Sequence, residues 1–265
     1  MLLAFNIGNT NISLGLFKNA DLIAQWRLAT RRDCMADELA VFIKSVFDIS
    51  GYHFHDVTGI AISSVVPPLT IQATQLAQQY FGYAPVVVGP ELDIGLVNDY
   101  INPHEVGADR LVNSLAAWKK YQTAAIIVDA GTATTVDVVS KDGHFLGGAI
   151  APGLQVSANA LFQAAARLPR VELETPPHAI GRSTVTALQS GLVYGYAGLV
   201  KELVARSLAE LEAVAPNEPM TIVATGGLAE TIAPLVPAIQ HVDPLLTLEG
   251  LRLVFLATEA HEKRV

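Results

Sequence analysis

Four short stretches of this chain hold residue types that chemistry could use. The first, Gly8-Asn9-Thr10-Asn11, separates two apolar runs. Glycine lets backbone approach an anion with no Cβ in the way. Backbone N–H groups and the Thr10 and Asn11 side chains can then donate to phosphate oxygens. A plain structural turn has the same composition. The second, Gly131-Thr132-Ala133-Thr134-Thr135, lies between Asp129 and Asp137. Hydroxyls and a Gly turn beside a carboxylate could hold a phosphate and a cation together. The sheet preference of threonine accounts for Thr134 and Thr135 as well. It does not account for Asp129, which ends the run Ile126-Ile127-Val128 and would be costly to bury unpaired.

The third stretch is Gly107-Ala108-Asp109-Arg110, preceded by Tyr100, Asn102 and Pro103. A carboxylate at a helix start could take a proton from a substrate hydroxyl. The neighbouring guanidinium could grip a substrate carboxylate with two parallel hydrogen bonds. The plainer alternative is that Asp109 favours the positive end of the helix and Arg110 is a surface residue. The fourth is Thr225-Gly226-Gly227-Leu228-Ala229 after a short apolar run, where a nucleotide could lie close to backbone or a strand could simply turn into a helix. Gly147 to Gly153 is glycine-rich and either lines a cleft or packs tightly. His53 and His55 have no cluster around them, so no metal site is expected there.

The elements that must position these residues alternate. Strands are expected at Leu2–Ile7, Ile12–Phe17, Leu22–Leu28, Gly59–Val66 and Pro85–Val88. Later strands are expected at Ala125–Ala130, Thr134–Ser140, Phe145–Ile150 and Thr221–Ala224. Helical spacing covers Asp37–Phe47, Thr70–Phe81, Asp109–Lys120 and Thr184–Val214, with a last helix from Leu248. A polar connection fills Gly89 to about Glu105. This alternation predicts an α/β fold. The first stretch is echoed by the second: Asn6-Ile-Gly-Asn-Thr-Asn-Ile against Asp129-Ala-Gly-Thr-Ala-Thr-Thr, each a strand, a Gly turn and another strand. Two such copies suggest two similar domains, divided at 115/116, with a cleft between the turns. Two ordinary hairpins would also satisfy the pattern.

Composition sets the remaining bounds. Hydrophobic residues are 51% and charged residues 16%, ample for a sizeable core. A net charge of −8 argues against a general nucleic-acid binder and leaves a local phosphate cradle open. The single cysteine, Cys34, permits no internal disulfide and suits a reducing compartment. Neither a basic leader nor a long apolar run is visible, so a cytoplasmic protein without a membrane span is expected.

Taken in order, the pieces resemble the type III pantothenate kinases, a family within the actin and sugar kinase superfamily. They are "IGNTN" at 7–11, "YINPHEVGADRL" at 100–111, "VDAGTATTVD" at 128–137, "GGAIAPGL" at 147–154, "IGRSTVTALQSG" at 180–191 and "ATGGLA" at 224–229. The resemblance implies two ribonuclease-H-like domains, actin-like in architecture, and a homodimer. It implies phosphoryl transfer from ATP to the primary hydroxyl of pantothenate, the first step toward coenzyme A. Asp109 would be the general base. Tyr100, Gly107, Ala108, Asp109 and Arg110 would hold pantothenate, with Thr184 reaching it from the neighbouring subunit. Asn6, Ile7, Gly8, Asn9, Thr10, Asn11, Ile12 and Ser13 would form the first phosphate loop. Thr132 would bind an ATP phosphate, Asp129 a monovalent cation (K+ or NH4+), and Mg2+ would accompany ATP. These phosphate turns hold no lysine, so cations would carry much of the charge neutralisation.

Asn6 departs from the family pattern, which has aspartate there. Asparagine keeps the shape and one oxygen acceptor and loses the charge. A unit charge about 4 Å from a cation is worth roughly 1–4 kcal/mol. Asn6 therefore predicts a slow or metal-hungry kinase. The alternative is a regulatory homologue that binds ligand without efficient turnover.

Overall fold

The computed structural model describes residues 1–262. It contains two compact units. The first comprises 1–96, 101–116 and the C-terminal helix; the second comprises 97–100 and 117–245.

In the first unit, β1 (Leu2–Ile7), β2 (Asn11–Lys18) and β3 (Asp21–Ala29) form an antiparallel meander. The strands β4 (Gly59–Ser64) and β5 (Val86–Val87) add in parallel on the other side of β1, giving the order β3-β2-β1-β4-β5. Strand alternation divides the side chains between two faces. Leu3, Phe5, Ile7, Leu14, Ile60 and Ile62 form a core with α1 (Ala36–Ser50) and α2 (Pro67–Leu76). In α1, Leu39, Ala40, Ile43 and Phe47 are buried, and Gly51 ends the helix at φ 77°. The opposite face carries small residues. A Cβ on Gly59 would fall 2.1 Å from Phe255, and one on Gly15 would fall 3.1 Å from Leu248. These glycines let the C-terminal helix (Leu246–Glu262) lie close against the sheet.

In the second unit, β7 (Ala124–Ala130), β8 (Ala133–Val139) and β9 (His144–Pro152) are antiparallel. The strands β10 (Met220–Thr225) and β11 (His241–Val242) continue in parallel beyond β7, and β6 (Val97–Asn98) pairs with β9. The run β9-β8-β7-β10-β11 repeats the first sheet's β3-β2-β1-β4-β5, so the echo in sequence is an echo in topology. Ile126, Val128, Val136, Ile222 and Ala224 share a core with Val193, Ala197, Val200 and Val204. Those last residues come from a long helical stretch: α5 (Thr184–Gln189), a π turn at Ser190–Tyr194, and α6 (Gly195–Val214).

Three differences from the sequence reading stand out. Helix α3 (Ala108–Tyr121) contains the division between units after Ala116, and the C-terminal helix belongs to the first unit. The expected second domain, 116–265, therefore loses that helix, whose buried Leu248, Leu251 and Val254 face the first unit. Helix α4 (Leu154–Ala164) occupies a stretch with no expected element, and it buries only Leu154. The connection after Gly89 holds β6 and a 3-10 turn at Pro103–Glu105.

Candidate phosphoryl-transfer site

The first turn leaves the sheet after the pair Ile7–Ile12. The Gly8 N–H donates to the Asn11 carbonyl at 3.0 Å and closes the turn. Thr30, just past β3, holds it from the side: its hydroxyl donates to the Gly8 carbonyl at 2.6 Å, and its N–H donates to the Thr10 carbonyl at 2.9 Å. The Arg32 guanidinium reaches Asn9 Oδ1 at 3.3 Å. Asn9, Thr10 and Asn11 are exposed at the tip, and Asn6 is half-buried beneath it. Neither Thr30 nor Arg32 was singled out in the sequence, because both are ordinary residue types far from the turn along the chain.

Asp109 lies in the same unit, at the same end of the sheet. Val65 N–H donates to the Ile7 carbonyl at 3.1 Å, carrying β4 past its last paired residue beside the end of β1. A Cβ on Gly107 would meet Val65 at 3.5 Å, so the start of α3 lies against these strand ends. The Gly107 carbonyl accepts from the N–H groups of Arg110 (3.1 Å) and Leu111 (3.4 Å). Asp109 Oδ1 accepts from Arg110 N–H at 2.8 Å. Burial raises the Asp109 pKa above the ordinary carboxylate value, opposed by this hydrogen bond and by the Arg110 charge. Arg110 is only 5% exposed, so the surface alternative for it fails.

In the second unit Asp129 occupies the place that Asn6 has in the first. The turn after it, Gly131-Thr132-Ala133, lies between the pair Ala130–Thr134 and is one residue shorter than the turn after Ile7. The two copies therefore match up to the glycine and shift by one residue beyond it. Gly153 fastens this turn: its N–H donates to the Thr132 carbonyl at 3.2 Å, and a Cβ there would fall 2.4 Å from the Gly131 and Thr132 oxygens. Gly226, at φ 89°, is equally tight, with a Cβ falling 2.4 Å from Asp129 Oδ1. A Cβ on Gly148 would meet the Val136 carbonyl at 2.1 Å. The glycines at 148 and 153 are thus explained by close packing. Thr134 and Tyr196 share a hydrogen bond of 2.5 Å, and burial, reinforced by the Asp129 charge, raises the Tyr196 pKa. Thr135 donates to the buried Asp137 at 2.8 Å.

Tyr100 belongs to the second unit, with its ring beside Phe145 and Gly147. Its N–H donates to Asn98 Oδ1 at 3.1 Å, and the adjacent Asp99 pairs with His144 Nδ1 at 2.8 Å. Thr184 is exposed at the start of α5, where the Ser183 hydroxyl caps the helix by accepting from Thr186 N–H at 3.2 Å. Within the units, then, residues 6–13 share a sheet end with Asp109, and Asp129 and Thr132 share one with Gly153 and Gly226. Among the described residues no group of three or more His, Cys, Asp or Glu could enclose a metal. Asp129 offers a single carboxylate among close backbone. That donor set fits a hard cation that takes its remaining oxygens from carbonyls, water or phosphate.

A Baf family protein from Campylobacter jejuni shares this fold with a TM-score of 0.60 at 19% identity, over 97% of this chain and 99% of that one. A ROK hexokinase from Thermus thermophilus shares it with a TM-score of 0.54 at 14% identity, over 97% and 99%. The architecture is that of the sugar kinases and actin-like ATPases, built from two ribonuclease-H-like α/β halves.

The sequence profile of the type III pantothenate kinases matches residues 2–206. Type III pantothenate kinases of Geotalea uraniireducens and Myxococcus xanthus are 48% and 46% identical to this chain over 255 residues, covering 96% of it and 98% of each relative. The chain belongs to the type III pantothenate kinase family. No helix among the described residues is long and apolar enough to cross a membrane.

Proposed function

We propose that this chain transfers the terminal phosphoryl group of ATP to the primary hydroxyl of pantothenate, with Asp109 as the general base. Asp109 takes the hydroxyl proton as the substrate oxygen attacks phosphorus, and ADP leaves with the bridging oxygen. The observation that supports this role is its position at the start of α3, beside the end of β1, with burial favouring proton uptake. A base needs that affinity and must still be ionised at the working pH.

The other roles follow the residue types. Backbone N–H groups at the tip of the 6–13 loop, the Thr10 and Asn11 side chains and the Thr132 hydroxyl hold phosphate oxygens. Tyr100, Gly107, Ala108 and Arg110 hold pantothenate, the guanidinium gripping its carboxylate. Thr184 completes that site from the second copy of a homodimer. Mg2+ bound with ATP, and K+ or NH4+ held by Asp129, would neutralise charge on the phosphates. Cytoplasmic residence suits the free, buried Cys34.

The test incubates the protein with ATP, Mg2+, K+ and pantothenate, beside its Asn6→Asp variant, and measures phosphopantothenate. Product from either supports the proposal. No product from two folded proteins overturns it.

A further inference from the structure

In both sheets the central residue at the strand end stands between two hydroxyls. Asn6 pairs with Ser13 on β2 and Ser63 on β4. Asp129 pairs with Thr135 on β8 and Thr225 on β10. Paired residues on neighbouring strands point to the same face, one strand spacing apart (about 4.8 Å). Ser63 is fully buried, and its Oγ has no hydrogen-bond partner. Its neighbour Ser64 is satisfied: it accepts from Thr70 at 2.7 Å and donates to the Val66 carbonyl at 3.3 Å. A buried hydroxyl left unpaired is uncommon, and a functional site is one of the few places where it is retained.

We propose that Ser63 is a positioning residue of the ATP phosphate site. Its hydroxyl donates to Oδ1 of Asn6 when nucleotide is bound. That bond turns the carboxamide N–H2 toward the Gly8–Thr10 turn, where it donates to a phosphate oxygen. The orphan hydroxyl gains its partner, and a neutral Asn6 acts on the anion directly. The inference rests on the kinase reading above.

Ser63→Ala tests it. The ligand-free variant is expected to melt at or above the temperature of the parent, because the unpaired hydroxyl is gone. Its KM for ATP rises about tenfold, the usual scale for an outer-shell partner. The Mg2+ concentration for half-maximal rate stays where it was. In an Asn6→Ala background the same substitution leaves KM unchanged, since the two residues act as one unit. A readout independent of turnover is the side-chain amide signal of Asn6 in 15N NMR. Adding Mg2+ and the ATP analogue AMP-PNP shifts it in the parent and leaves it unmoved in Ser63→Ala. A variant that melts lower with KM unchanged, or an Asn6 signal that responds alike in both proteins, overturns the proposal. Absence of phosphopantothenate from both the parent and Asn6→Asp would instead overturn the kinase reading, while the NMR comparison still judges Ser63.

Discussion

Gly107 and Asp109 are packed so closely that a β-carbon on the glycine would lie 2.7 Å from Oδ1 of the aspartate. The nearest other atom to that β-carbon is Val65 Cγ1 at 3.5 Å, an ordinary contact. An added methyl group therefore displaces the carboxylate before anything else. Gly107→Ala should fold and melt close to the parent while its kcat falls on the order of a hundredfold, the scale of a 1 Å misplacement. Steady-state kinetics beside a thermal melt checks this. An unchanged kcat would mean that the Asp109 position is immaterial.

Asp109→Asn should separate activity from stability. Loss of a general base lowers kcat by about 10²–10⁴-fold. Burial raises the folded-state pKa of Asp109, so the native protein binds this proton more tightly than the unfolded chain. Stability contributed by the protonated form is then lost as pH rises through that raised pKa. The uncharged amide of Asp109→Asn has no proton to lose and escapes this penalty. The variant should melt above the parent near neutral pH, and the gap should close as pH falls below the ordinary aspartate range. The rate of the parent should fall on the acid side at a higher pH than an ordinary aspartate would give. A variant that melts lower at neutral pH would show that the carboxylate is stabilised by its surroundings.

Asn6→Asp should accelerate the enzyme. Restoring a unit charge about 4 Å from a cation is worth roughly 1–4 kcal/mol, or about five- to a thousandfold in rate or metal affinity. The Mg2+ requirement should fall with it. Initial rates across a Mg2+ series, for parent and variant, give both quantities. Equal curves would mean that no cation comes near residue 6.

The two sheets were largely legible, because β1, β2, β7 and β8 combine β-branched, apolar residues with a Gly turn. Asn6 and Asp129 stood out as polar residues closing apolar strands, and Asp109 as a carboxylate beside Arg110 at a helix start. What escaped depends on the chain returning to itself. Thr30 and Arg32 brace the first turn from the far end of β3, and the C-terminal helix packs on a sheet formed some 200 residues earlier. Helix α4 was in fact legible, with Leu154, Ala158, Leu161 and Phe162 at helical spacing, although it buries only Leu154. Ser63 looks like any serine in a strand until the pairing places it beside Asn6.

Gly226 separates a backbone role from a chemical one. It adopts φ 89°, which costs an L-residue about 1–2 kcal/mol. Its absent β-carbon would also stand 2.4 Å from Asp129 Oδ1 and 2.8 Å from the Ala130 carbonyl. Gly226→Ala should therefore lower the melting temperature and move the Asp129 carboxylate together. Gly227→Ala is the control: nothing lies within 4 Å of its β-carbon and its φ is ordinary, so it should melt like the parent. If Asp129 holds the monovalent ion, Gly226→Ala raises the K+ concentration needed for half-maximal rate more than it lowers the rate at saturating K+. Potassium titrations of the two variants decide the matter. A K+ dependence unchanged in Gly226→Ala would remove Asp129 as the cation ligand, whatever happens to the melting temperature.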